Sequence, residues 1–161
     1  MPVTDPNTIG VAEAIQTMMQ AITITPIGSI AGYNTVSIGA TKDVTNLLPL
    51  LEITGSDDET ERGSQAPVGA TLEVQDDQDF QLTTTVDYTD SATGEQVVFA
   101  LRDKLTKAFN TSAKLNNTTG VQGVYLKIPG KYGYAMRSGV WCRMHQIKLL
   151  VRYWYEPTMG A

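Results

Sequence analysis

The stretch from Val140 to Tyr155, VWCRMHQIKLLVRYWY, constrains what this chain can fold into more than any other. It is dense in β-branched and aromatic residues and holds neither Gly nor Pro; fully extended it would run roughly 50 Å, about twice a usual strand. It predicts the principal strand of a sheet. Its apolar residues fall first at Val140, Cys142 and Met144, then shift by one to Ile147, Leu149, Val151, Tyr153 and Tyr155. Strict period two would carry that shift to the other face, so a β-bulge near His145 and Gln146 is expected. The opposite positions, Lys148, Leu150, Arg152 and Trp154, are amphipathic, and that face is expected to touch something too.

With 161 residues, 42% of them hydrophobic, the chain is expected to be one α+β domain with a core of its own. A single Cys excludes an internal disulfide, and the start lacks the charged-then-apolar pattern of a secretory signal, so a reducing intracellular site of synthesis is expected. No apolar run approaches the roughly 20 residues of a membrane helix. The net charge of −5 conceals a segregation. From Asp43 to Glu95 the only basic residue is Arg62, and from Arg102 to Arg152 the only acidic one is Asp103. This suits head-to-side self-assembly better than wrapping a large polyanion, because a heterologous contact sets a basic face against an acidic one. The plainer alternative is two solvated surfaces.

In chain order, residues 1–7 read as a short arm ending at Asp5-Pro6, a capping pair. From Thr8 to Ile22, Val11, Ala12, Ile15, Met18, Met19 and Ile22 recur at helical spacing. Residues 23–40, with Pro26 and several glycines, predict broken extended chain, and Leu50 to Thr54 a strand entered through Pro49, which fits an edge or a strand start. Residues 55–67, GSDDETERGSQAP, read as an acidic loop without the ligand order of an EF-hand. Two alternating runs, Val68 to Val74 and Phe80 to Tyr88, predict a hairpin turning at Gln75 to Asp79. The second helix is expected to start at a Thr93 cap with Gln96 three residues on, and to bury Val97, Val98, Leu101, Leu105, Ala108 and Phe109. A strand from Val121 to Ile128 is expected to stop at Pro129-Gly130. The stretch between it and the long strand, PGKYGYAMRSG, then reads as a loop that interleaves Lys131, Tyr132, Tyr134 and Arg137. Such residues can stack on single-stranded nucleic acid, yet they are also enriched at protein interfaces, the preferred reading in a net acidic chain.

Chemistry is hard to place. Cys142 and His145 are the only thiol and imidazole, and three residues apart on a regular strand they point to opposite faces. They lack an orienting third group and fall two ligands short of a structural zinc site. No catalytic residue, metal or cofactor is expected. The competing classes are a small ligand-binding domain or enzyme with a pocket between helix and sheet, and a nucleic-acid-binding module.

The order of elements resembles the tail terminator proteins of long-tailed bacteriophages and their relatives in the neck and tail-completion group. The likeness lies in VAEAIQTMMQAI, LLPLLEIT, DFQLTTTVDY, GEQVVFALRDKLTKAFN, GVQGVYLKI and HQIKLLVRYWYEP. The elements themselves predict an α+β fold with a mostly antiparallel sheet and two helices on one face. The likeness implies a structural virion protein, made in the host cytoplasm, that forms a ring, usually of six subunits, on the last ring of the tail tube. That ring ends tube polymerisation and docks the head, so the implied partners are further copies, the tail tube protein and a head-completion or connector protein. DNA would pass through without specific binding. Under this reading Lys131, Tyr132, Tyr134, Arg137 and Trp154 are expected at a subunit or ring interface. Asp57, Asp58, Glu59 and Glu61 are expected at the lumen or the top face, where carboxylates repel phosphates.

Overall fold

A computed structural model of the chain describes residues 3–56 and 74–156. Helix α1 (Thr8–Gln20) buries Val11, Ala12, Ile15, Met18 and Met19, the stripe its spacing predicts. Its cap is Asn7 rather than Asp5, the Asn7 side chain accepting from the Gly10 N–H. Helix α2 (Ser91–Thr111) buries Gly94, Val97, Val98, Leu101, Leu105 and Phe109. It starts about a turn earlier than a Thr93 cap implies, because Asp90 accepts from the N–H groups of Ala92 and Thr93.

Among the described residues five strands form one sheet: β1 (Thr35–Ile38), β2 (Leu50–Gly55), β3 (Val74–Asp87), β4 (Val121–Arg137) and β5 (Val140–Tyr155), in the order β1-β2-β3-β5-β4. Only β1 and β2 run parallel; the other pairs are antiparallel. The class is α+β, as expected. Because side chains alternate across a strand, Leu51, Ile53, Phe80, Leu82, Ile147, Leu149, Val151 and Tyr153 share one face and pack with α1 and the end of α2. Val86, also on that face, packs with Val97, Val98 and Leu101 of α2. Both helices cover the same side.

Three expectations need correction. Gln75 to Asp79 is no turn: it lies within β3, which pairs with β5 without interruption from Val74↔Tyr155 to Asp87↔Cys142. Carboxylates signalled a reversal only in the absence of a partner; here Arg152 Nε donates to Asp77 Oδ1 at 3.2 Å across the strands. Residues 68–73 of the expected hairpin lie outside the described residues. Next, β5 carries no shift against β3; the irregularities are in its pairing with β4, one between Val121 and Gly123 and the larger where Lys127 faces Lys148 but Lys131 faces Gln146. Third, Pro129-Gly130 does not end β4. It forms the bulge, where the ladder is interrupted and a missing N–H costs least, and the strand resumes to Arg137. The reversal is at Ser138 and Gly139, both with positive φ. Pro49 marks a strand start, one of the two expected places for it: β2 begins directly after it and is interior, since β1 forms from the Gly-rich stretch beside it. Of the acidic loop, Asp57, Asp58, Glu59 and Glu61 lie outside the described residues.

Candidate assembly surface

With Lys131 to Arg137 in a strand, the interleaving of basic and aromatic residues becomes a sorting by face. Tyr132, Tyr134 and Met136 lie on the helix-bearing side of β4, opposite His145, Arg143 and Trp141 of β5. Since β4 is the sheet's edge, these side chains are only partly covered: Tyr132 is 40%, Tyr134 52%, Met136 63% and Trp141 44% exposed. Phe99 of α2 joins them, its ring 5.7 Å from that of Tyr132. Tyr134 stacks on Trp141 at 5.7 Å and meets Tyr88 edge-on at 5.4 Å.

One cation supports this row from beneath. The Arg143 guanidinium lies 4.2 Å from the centre of the Tyr134 ring and 5.2 Å from that of Tyr132, attracted by the ring quadrupoles. Its Nε stands 2.8 Å from Glu95 Oε1 but off the N–H line, so the contact is an ion pair rather than a hydrogen bond. The Tyr88 hydroxyl donates to the same Glu95 oxygen at 2.9 Å. That bond holds the phenol's proton and pushes its pKa up to about 12. The rings are thus fixed by α2 before any partner arrives, which lowers the ordering cost of an interface.

No protein-family model matches this chain, and no curated protein matches its sequence.

The remaining expected residues scatter. Lys131 and Arg137 lie on the face opposite Tyr132 and Tyr134. Arg137 is turned into the fold: Nη1 donates to Glu52 Oε1 and to Thr85 Oγ1, and Nη2 to Thr41 O at 2.9 Å and Glu52 Oε2 at 3.1 Å. Its charge is consumed in holding the loop before β2 to the sheet. Trp154 faces Gln75 near the far end of β5, eleven residues from Arg143 or roughly 35 Å of strand. Sequence reading missed Tyr88, Glu95, Phe99, Met136, Trp141 and Arg143. Period two at Tyr132, Tyr134 and Met136 was the available signal, hidden once Pro129-Gly130 was taken as a stop.

Little in the described residues points to catalysis. Cys142 and His145, both fully buried, sit on opposite faces, and burial pushes the thiol pKa up, away from a reactive thiolate. His145 Nε2 lies 3.1 Å from Pro129 O, which can only accept, so Nε2 carries the proton. Its Nδ1 has no partner. Among the described residues no group of three or more His, Cys, Asp or Glu is placed to hold a metal, and no helix is long and apolar enough to cross a membrane. A cleft of about 530 Å³ between Ile22 and Pro49 has one titratable lining group, Tyr33, whose hydroxyl shares a hydrogen bond with Thr84 Oγ1 at 2.7 Å.

Proposed function

We propose that this chain is a structural subunit of the tail-terminator type. It assembles head-to-tail into a ring, six-membered in the resembled family, at the head-proximal end of a phage tail tube. There it ends tube growth and receives the head, with the tail tube protein below and a head-completion or connector protein above. DNA passes through without being gripped. The virion is its place of work and the host cytoplasm its place of synthesis, and its role calls for no cofactor. Asp57, Asp58, Glu59 and Glu61 are assigned to the lumen or the top face.

The observation that carries this reading is the aromatic row at the β4 edge. Exposed rings braced by a partly buried ion pair form a pre-ordered apolar surface, and Tyr, Trp, Met and Arg are the residues favoured at protein interfaces. Native mass spectrometry and negative-stain electron microscopy of the purified chain test it. Rings of one closed size are expected. A chain that stays monomeric at high concentration, with no such ring in a virion, overturns the reading.

A further inference from the structure

A head-to-tail contact needs two different surfaces on each subunit, and the sheet's other edge supplies the second. One rung of the sheet runs from edge to edge: Val36 faces Leu51, Leu51 faces Thr84, Thr84 faces His145, and His145 faces Tyr132 of the aromatic row. Facing residues share a side of the sheet. Val36 and Tyr132 therefore end the same rung on the helix-bearing side, roughly 19 Å apart across four strand spacings. Ile38, two residues along β1, points to that side as well.

The β1 edge is guarded against strand addition but left apolar. Thr35 and Gly39 donate to β2, at Pro49 O and Ile53 O, so the backbone of Val36 and Ile38 between them turns outward. Gln16 of α1 takes the Val36 carbonyl, its Nε2 donating at 2.9 Å, which removes an acceptor that a foreign strand would need. Ile38 beside it is nonetheless 48% exposed. Ile9, seven residues before Gln16 and so on the same stripe of α1, is 73% exposed. In that stripe between them stands Glu13, exposed and without an ion-pair partner among the described residues. Two isoleucines and a carboxylate thus lie along one flank.

We infer that the aromatic row of one copy is covered by the α1–β1 flank of the next, with Ile9 and Ile38 against Tyr132, Tyr134 and Met136, an inference that rests on the self-assembly reading above. Three features select this occupant. Aliphatic side chains laid on aromatic rings make the apolar, water-excluding centre that an interface needs. The charges agree: Glu13 comes to an edge where Lys131 precedes Tyr132, exposed and likewise without an ion-pair partner among the described residues. The geometry agrees too. Because both surfaces end one rung, a copy set along the line of that rung meets the row with little rise, and a heterologous contact repeated without rise closes into a ring. A two-fold contact of row on row would leave Ile9 and Ile38 in water and bring the Lys131 of both copies to one edge.

Cross-linking tests this in the full chain. Ile38→Cys and Lys131→Cys are made separately, both at exposed positions, and treated with a short bis-maleimide; the native thiol, Cys142, is fully buried. Linked dimers are expected when the two chains are mixed and not from either alone. One chain carrying both changes should give a ladder that ends at the ring size, since the two edges stand too far apart for a link within one copy. Self-linking of Lys131→Cys shows the row meeting a second row and overturns the inference, as does a wild type that forms rings while the mixture never links. A wild type that stays monomeric sinks both the inference and the ring. In a second arm, Ile38→Asp should lower the assembled fraction at least tenfold by native mass spectrometry, with little change in unfolding midpoint because the side chain is half exposed. Equal assembly of that variant and wild type sinks the inference and leaves the ring standing. Circular dichroism confirms that the variants fold.

Discussion

Glu52 is 5% exposed, and its carboxylate is held by Arg137 and by the Thr41 N–H at 2.7 Å. Removing the guanidinium leaves that charge buried with only part of its bonding, and breaking such a pair costs about 3–5 kcal/mol. Arg137→Ala should therefore lower stability by that order in urea denaturation, and Glu52→Gln added to it should recover part of the loss. His145 works with opposite sign. Burial, with Arg102 adding to it, lowers its pKa below the ordinary 6.5, so the folded protein keeps it neutral. As pH falls through about 6.5 the unfolded chain takes up this proton before the folded one does, so stability falls with pH by at most about 1.4 kcal/mol per unit. Denaturation at several pH values between 7 and 5 measures this, and His145→Gln should flatten the slope.

Two elements owe their shape to short polar or small residues. Helix α2 starts where Asp90 satisfies two N–H groups, so Asp90→Ala should cost about 1 kcal/mol in thermal or urea unfolding. The β4 bulge depends on Gly130, whose positive φ costs a residue with a Cβ roughly 1–2 kcal/mol before any clash with Gln146 O is counted. Gly130→Ala should also draw Pro129 O away from His145 and let water reach the ring. The imidazole titration followed by NMR should then move back toward 6.5. The same bulge protects one end of an exposed edge strand: Pro129 and the flanking lysines discourage pairing with another sheet there. From Tyr132 to Met136 no such guard exists, and there the edge carries its rings.

Among the described residues, ion pairs join the acidic and basic halves at Arg137 with Glu52, Arg143 with Glu95 and Arg152 with Asp77. Each ties the long hairpin to an element more N-terminal in the chain. The segregated charge is thus partly spent within the subunit and partly left at the β4 edge. If the aromatic row is the subunit contact, Tyr134→Ala with Met136→Ser should reduce the assembled fraction several-fold by light scattering. Because both side chains are half exposed or more, the unfolding midpoint should move by no more than about 4 °C, the shift of about 1 kcal/mol in a chain of this size. A large drop in midpoint with assembly unchanged would assign the row to stability instead.

Periodicity along the chain was sufficient for both helices, for the principal strand, for the α+β class and for keeping Cys142 and His145 apart, because burial of one stripe or one face is written into neighbouring residues. Residue type, not periodicity, singled out Tyr132 and Tyr134, which the sheet leaves exposed at its edge. Periodicity did not say that Asp76, Asp77 and Asp79 lie in a strand, since whether a carboxylate turns the chain or pairs across it depends on what stands opposite. It put the bulge in Val140–Tyr155 because a shift between two strands is visible in either one, and only the pairing shows which carries the extra residues. Arg137 and Glu52, 85 positions apart, became partners only when the sheet brought β2 and the β4 end together. Local pattern decided what each segment is; long-range pairing decided which of its side chains are left to meet another molecule.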